Sequence, residues 1–250
     1  MKLFIALISL LPFFAHAEPV NTGHVTAELV AESGSAQAGS EVWIGVRLEH
    51  APHWHTYWEF PGDSGLPSKF KFTLPAGWKI SAPVWPLPER VPLPPLVNYG
   101  YPGEALVIFK AEVPAGFEGP AEIKADASWL VCKEECIPEK AALSLTLPVS
   151  SAAPKKGPLS TVFETVRREA PVPLPQGAFQ SLKVEGKRIG LQLDDDPSWI
   201  KGRKLDLFPL VAQMIKGDAP PKKEGAKGDV TLWMEKASPF SASATAFRGV

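Results

Sequence analysis

The stretch "AEIKADASWLVCKEEC", Ala121 to Cys136, alternates apolar and polar residues until it reaches the first of the chain's two cysteines. Successive side chains of a strand point to opposite faces, so Ile123, Ala125, Ala127, Trp129 and Val131 share an inner face. Lys124, Asp126, Ser128, Leu130 and Cys132 share the other. A new strand pattern begins soon after Pro138, so "KEE" reads as the loop of a hairpin with Cys136 near its returning arm. Running straight, residues 132 and 136 would stand about 13 Å apart at roughly 3.3 Å per residue, beyond the ~7 Å that a disulfide tolerates. Facing positions of a hairpin lie at about 4.5 to 5.5 Å. The two sulfurs can bridge only because the chain reverses there.

Working outward, the same two-residue period recurs. In "EVWIGVRLEH" (41–50) it sets Val42, Ile44, Val46 and Leu48 against Trp43, Arg47 and Glu49. It returns in "HVTAELVA" (24–31), "HWHTYWEF" (53–60), "KFKFTL" (69–74), "EALVIFKAEV" (104–113) and "AALSLTLPV" (141–149), with Pro- and Gly-rich turns between. About seven or eight strands are expected before residue 150. Strands with one apolar face must close two sheets over a shared core, so an all-β, immunoglobulin-like β-sandwich is expected over residues 18–150. The 27 prolines, 20 glycines, 8 tryptophans and 45% hydrophobic content suit such a turn-rich fold with a substantial core.

The first residues, "MKLFIALISLLPFFAHA" (1–17), carry one lysine, an apolar run from Leu3 to Phe14, and alanines at 15 and 17. This is the pattern of a secretory signal peptide cut after Ala17, and it places the remaining chain in an exported compartment, where disulfides persist. The apolar run is short for a membrane anchor, which needs roughly 18 to 20 such residues. Formal net charge is −1, and losing Lys2 with the leader makes it −2. That balance gives no electrostatic case for nucleic acid or an anionic membrane as partner.

After "SSAAPKKGP" (150–158) the composition becomes that of a linker, assigned to residues 151–178. It contains one or two helical turns in "STVFETVRREA" (160–170), with Val162, Phe163 and Val166 on one face. A second, smaller β-rich domain is expected over 179–250. There "LKVEGKRIGLQL" (182–193) reads as a hairpin with Leu182 and Val184 facing Ile189, Leu191 and Leu193. "KLDLFPLV" (204–211) and "DVTLWMEKA" (229–237) add two strands, and "PPKKEGAKGD" (220–229) reads as a solvated loop. The terminal "FSASATAFRGV" (240–250) stops inside a strand-like run, so this domain is expected to be cut short. "DDDPSW" (194–199) lacks the spaced oxygen ligands of a calcium loop and reads as a solvated turn.

The spacing of Cys132 and Cys136 leaves three roles open: redox exchange, a structural clip, or metal ligation. A loop this small gains only about 2 kcal/mol from its cross-link in the chain-entropy model, and small exposed bridges at loop tips exchange readily with thiolates. Lys133 favours a thiolate beside it, whereas Glu134 and Glu135 oppose one. In "HWHTYW", Trp54, Thr56 and Trp58 alternate with His53, His55 and Tyr57, which as a plain strand gives one core face and one surface face. In a functional reading Tyr57 and His55 stand beside the sulfurs, the histidine able to move protons. As an alternative, His53, His55, Cys132 and Cys136 could form a soft Cu(I) site in a copper-binding or copper-tolerance protein.

Three blocks, "HWHTYWEFPGDSGLPSKF", "VNYGYPGEALVIFKAEVP" and "SWLVCKEECIPEKAALSLTLP", resemble the N-terminal periplasmic region of the DsbD/ScsB family of thiol-disulfide interchange proteins. They occur in the family's order across residues 53–148. The resemblance implies a protein-disulfide reductase module in the periplasm whose catalytic pair is Cys132 and Cys136, with no cofactor or metal beyond the cysteines. It implies as partners a thioredoxin-like domain and a membrane-embedded domain of the same family, which pass electrons outward, and oxidised periplasmic thioredoxin-like clients that receive them. Tyr57 matches a position lining the family's active site, and His55, Asn98, Tyr99 and Lys133 complete the expected surroundings. Where DsbD carries a shielding phenylalanine before Tyr-Gly, this sequence has Asn98 before Tyr99 and Gly100. Leu96, Val97, Tyr99 or Tyr101 would have to replace that shield.

Overall fold

The computed structural model describes residues 15–172, 179–193, 206–210, 212, 214–218, 220–225 and 230–237. Residues 1–14 of the expected leader, the "DDDPSW" turn and the terminal "FSASATAFRGV" run lie outside them. The amino-terminal strands are β1 (His16–Ala17), β2 (Val20–Asn21), β3 (Val25–Ala31), β4 (Ala36–Gln37), β5 (Glu41–His50) and β6 (His55–Gly62). Next come β7 (Lys69–Thr73), β8 (Lys79–Ile80), β9 (Glu89–Leu93), β10 (Leu96–Pro102) and β11 (Glu104–Glu112). The long hairpin β12 (Gly119–Cys132) and β13 (Cys136–Ser150) follows. Beyond it lie α1 (Ser160–Glu169), β14 (Phe179–Glu185), β15 (Arg188–Leu193), β16 (Lys222–Glu224) and β17 (Thr231–Glu235). The strand segments before residue 150 exceed the expected number because β1, β2, β4 and β8 are two-residue pairings that leave no periodic trace, and because β9 and β10 lie in the proline-rich stretch 89–102, which shows no regular alternation.

Two sheets make the sandwich. One runs β1-β13-β12-β6-β10-β9, with β4 added to β13 and β7 to β12, and the other runs β2-β3-β5-β11-β8. Their inner faces meet in one apolar cluster that includes Leu29, Ile44, Val46, Trp58, Val107, Ile123, Trp129 and Leu145. Burying each such side chain is worth about 1.5 to 3 kcal/mol, which is why the two-residue period so firmly sets the register. The alternation in "AEIKADASWLVC" and "EVWIGVRLEH" holds for the inner residues, which are buried. Their neighbours are exposed at Glu122, Lys124, Asp126 and Ser128 of β12 but half-buried or buried from Trp43 to Arg47 of β5, where the helix covers the sheet.

The outer face of the second sheet is covered by α1, whose Phe163 and Val166 pack against Val30, Leu106 and Ile108. Gly45 makes this approach possible, since a Cβ there would stand 2.7 Å from Leu106 Cδ1 and 3.2 Å from Phe163 Cζ. Arg167 clamps the helix by donating to both carboxylate oxygens of Glu32 at 2.6 and 3.1 Å. Its guanidinium also lies 5.0 Å from the centre of the Trp43 ring. Val162 does not share the buried face as expected and is 40% exposed, because the helix sets the i, i+3 pair Phe163 and Val166 onto the sheet and turns Val162 away from it.

A third sheet, β14-β15-β17-β16, encloses Ile189, Leu191, Leu193, Leu232 and Met234. Leu182 and Val184 stand opposite Leu191 and Ile189 as expected, but both are exposed because β14 is an edge strand. Two expectations are corrected. Lys222–Glu224 of the supposed solvated loop is a short edge strand paired with β17, an exposed all-charged segment without an apolar face to reveal it. Residues 206–210 of "KLDLFPLV" form no named strand and instead lie against the sandwich, with Phe208 joining its core.

Asp206 accepts two hydrogen bonds from Arg90 of β9, at 2.7 and 2.5 Å. Phe208 meets Trp58 and Tyr99 edge-on at 5.5 and 5.1 Å between ring centres, beneath the Arg90 guanidinium at 4.9 Å. Gly217 approaches the Tyr99 hydroxyl closely enough that a Cβ would stand 2.6 Å from it. The third sheet is thereby tied to β10, the neighbour of β6, and to β9 at the edge of that sheet.

Candidate active site at the hairpin tip

The β12–β13 ladder runs unbroken from Gly119↔Val149 to Cys132↔Cys136, so the cysteines are the last facing pair before the turn. They form a disulfide with Cα atoms 4.2 Å apart, and Lys133 N donates to Glu135 O at 3.1 Å to close the three-residue loop. Lys133, Glu134 and Glu135 are all exposed. The two cysteines are not equivalent. Cys132 is 2% exposed, whereas Cys136 is open to solvent.

The asymmetry comes from β6, which joins the hairpin tip through the pair Cys132↔His55. Facing residues share a side of the sheet, so His55, Tyr57, Cys132 and Cys136 all lie on its outer side, while Thr56 and Trp58 turn toward the core. "HWHTYW" was read as one buried and one open face, but His55, Thr56, Tyr57 and Trp58 are all buried. The outer side is covered as well. The loop from Gly62 to Pro67 folds back over β6, with Gly65 against the Tyr57 ring at φ 93°, where a Cβ would fall 2.3 Å from the ring. Only glycine fits there, both for the left-handed backbone and for the space.

Asn98 explains how that loop is held. It is fully buried, and its Oδ1 accepts from Ser64 N and Ser64 Oγ, each at 3.0 Å. Val97 N donates to Asp63 Oδ2 at 2.9 Å, and Asp63 N donates to Val97 O at 3.0 Å. Asn98 thereby anchors the loop that covers Tyr57. Tyr99 and Tyr101 belong to the core, the first meeting Phe208 and the second donating to Pro86 O at 2.9 Å. Burial pushes the Tyr99 phenol up to about 12.

The Tyr57 hydroxyl stands 3.6 Å from Cys136 Sγ. Burial raises its pKa, so at neutral pH it keeps the proton that a sulfur anion could accept as a hydrogen bond. His55 lies edge-on to Tyr57 at 5.2 Å, and burial lowers its pKa, so the ring is neutral near pH 7. Its Nε2 is buried without a hydrogen-bond partner among the described residues.

On the returning arm, Glu139 accepts from Thr22 Oγ1 at 2.5 Å, His24 Nδ1 at 2.8 Å and His24 N at 3.1 Å. The His24 ring lies against Trp54, tilted by 36° with the ring centres 3.9 Å apart. The segment at residues 22–24 is thus fastened to the hairpin three residues beyond Cys136. Neither this bracket nor the loop anchored by Asn98 was foreseen from sequence; the only trace of the latter was the turn-rich block "PGDSGLP".

Of the residues of the Cu(I) alternative, His55 faces Cys132 and so stands beside the disulfide, but His53 does not join them. His53 is exposed with φ 72° ahead of β6, His55 is buried on the strand, and both sulfurs are bonded to each other. Among the described residues, no group of three or more His, Cys, Asp and Glu side chains is placed to hold a metal.

The family model for the N-terminal domain of the thiol:disulfide interchange protein DsbD matches residues 26–148, which span the sandwich and the disulfide hairpin. Over those residues the chain belongs to the DsbD N-terminal family. The crystal structure of the N-terminal periplasmic domain of ScsB from Proteus mirabilis overlays on 92% of this chain and 90% of its own, with a TM-score of 0.57 at 15% identity. The fold is therefore shared with that ScsB domain. The yeast GGA1 GAE domain covers 54% of this chain and 98% of its own at 15% identity, but its TM-score of 0.29 carries no argument. No curated protein matches the chain. Membership in the DsbD family marks the sandwich as a thiol-disulfide interchange module, and the Cys132–Cys136 disulfide supplies the group such a module needs. Among the described residues no helix is long and apolar enough to cross a membrane.

Proposed function

We propose that the sandwich is a periplasmic electron carrier, a protein-disulfide reductase module that takes electrons from a thioredoxin-like partner fed by a membrane-embedded domain and delivers them to oxidised periplasmic proteins. The observation that carries this reading is the pairing of an open Cys136 with a buried Cys132 in one tip disulfide. An incoming thiolate attacks Cys136 Sγ, and the Cys132–Cys136 bond breaks with its electron pair on Cys132 Sγ. The partner's second thiol, after losing its proton, then attacks its own sulfur in the mixed disulfide and releases Cys136 as a thiolate. Partner dithiol has become disulfide, and the tip disulfide has become a dithiol.

Delivery reverses these steps. Cys136 attacks a client disulfide, and Cys132, held on the facing position, resolves the mixed disulfide and releases the client as a dithiol. Stability is a poor reason for the bridge, since closing so small a loop contributes only about 2 kcal/mol. Equilibration of the domain in glutathione buffers tests the reading. A redox-active pair titrates within the buffer's range, whereas a pair still oxidised below about −300 mV is structural and ends this proposal. Cys132→Ser should accumulate mixed disulfides through Cys136, and Cys136→Ser should accumulate far fewer.

A further inference from the structure

The outer side of the sheet that bears Cys136 continues past the disulfide as an open, grooved surface. Residues 136, 138, 140 and 142 of β13 alternate onto this side and are exposed, as are 126 and 128 of β12. Strand β7 completes the surface, with Lys69 opposite Ser128 and Lys71 opposite Asp126. Two adjoining depressions run along it and share Lys69, Ser128 and Lys140. The one nearer the disulfide, about 420 Å³, has an apolar wall of Leu66, Pro67, Leu130 and Pro138. Leu66 is 63% exposed, projecting from the loop that covers Tyr57. The farther one, about 610 Å³, carries Lys69, Lys71 and Lys140 against the single acid Asp126. None of these three lysines has an ion-pair partner within 4.0 Å among the described residues.

We infer that this groove is a docking surface for an extended acidic segment of the protein whose thiol exchanges with Cys136. The inference rests on the redox reading above and adds to it what the partner must look like. Along β13, Lys140 lies four residues from Cys136, about 13 Å at roughly 3.3 Å per residue. A partner strand laid beside it therefore brings acids onto the lysines when they follow or precede its cysteine by about four residues. The apolar wall lies between, where it would take one or two apolar side chains next to the reacting thiol. Unpaired lysines around a concave surface speed the approach of a negative segment, an effect that salt screens. The tip itself, Lys133-Glu134-Glu135, has the opposite balance, so a segment acidic throughout is disfavoured and the charge must sit at a distance from the cysteine.

The test uses two synthetic peptides, each with one cysteine and a Gly/Ser spacer of about four residues. One ends in a run of glutamates and the other in a run of lysines. Each is reacted with the Cys132–Cys136 disulfide of the full chain and of K69E/K71E/K140E, with dithiothreitol as a small neutral control. The ratio of acidic-peptide to basic-peptide rates cancels their intrinsic thiol reactivities when the two proteins are compared. That ratio should fall by on the order of tenfold or more in the triple variant at low salt, and K140Q should fall between. Salt of about 1 M should abolish the difference. An unchanged ratio, with dithiothreitol reducing both proteins normally, overturns the groove and leaves the redox reading standing. If instead neither dithiothreitol nor any peptide reduces the disulfide, the redox reading falls and takes the groove with it. An unchanged ratio accompanied by loss of binding to phosphatidylglycerol vesicles assigns the lysines to a membrane surface and likewise overturns the proposal.

Discussion

Tyr57 Oη lies 3.6 Å from Sγ of Cys136, the exposed cysteine of the pair, and its ring is roofed by Gly65. The hydroxyl cannot serve a neutral disulfide sulfur strongly, but it can donate to the thiolate that forms when the bridge opens. Hydrogen bonds to charged groups are worth about 1.5 to 3 kcal/mol. Tyr57→Phe should therefore raise the Cys136 thiol pKa by about one unit, since one unit corresponds to roughly 1.4 kcal/mol. The pH dependence of iodoacetamide alkylation of reduced protein reports the shift, and an unchanged profile removes Tyr57 from the chemistry.

Gly65→Ala should lift the loop from Tyr57. The new methyl group meets the ring at 2.3 Å and must also adopt φ 93°, so the loop cannot keep its place. The backbone strain alone costs about 1 to 3 kcal/mol. With the cover displaced, dithiothreitol should reduce the disulfide several-fold faster, while the sandwich core remains folded by circular dichroism. An unaltered reduction rate would show that the loop does not govern access.

Glu139 gives the site a pH dependence. Desolvation pushes its carboxyl pKa up, but hydrogen bonds from Thr22 and His24 outweigh it and leave the pKa lowered. The unfolded chain then binds more protons than the folded one, so stability rises with pH across this window. The contribution is complete above the ordinary carboxylate value of about 4.5 and is lost as pH falls through the folded value. Glu139→Gln should cost about 1 to 3 kcal/mol near pH 6. Urea denaturation should show that difference shrinking toward pH 3. A gap equally large at both pH values would mean that packing, not charge, is what the carboxylate supplies.

Phe208→Ala tests how the third sheet is held to the sandwich. Phe208 is buried between Trp58, Tyr99 and Arg90, and removing such a ring costs about 3 to 5 kcal/mol. The loss should appear as faster hydrogen exchange at residues 206–210 and in β9 and β10, with β5 and β11 little affected. Arg90→Ala should act in the same direction, since it strands Asp206. Uniform exchange across the whole sandwich would argue against a local tie.

Much of the site was legible because a strand's faces follow from its own residues. The period of two in "AEIKADASWLVC" fixes which side chains enter the core, and the short "KEE" loop forces Cys132 to face Cys136. Asn98 was noticed only as a departure at the place of an expected shield, and its role as anchor of Ser64 depends on a partner 34 residues away. Val162 was misjudged because helical spacing groups neighbouring side chains but does not tell which of them the sheet will meet.

The sequence by itself determined the all-β sandwich, the reversal that joins the cysteines, and the side of the sheet on which each lies, since all of these depend on contacts along one strand or across one turn. Only the tertiary structure decided that Cys132 is sealed while Cys136 is open. Two sulfurs on the same side of one hairpin differ because β6 pairs beside Cys132 and leaves Cys136 on the open arm. That choice is made by packing between segments nearly 80 residues apart, which no local pattern records.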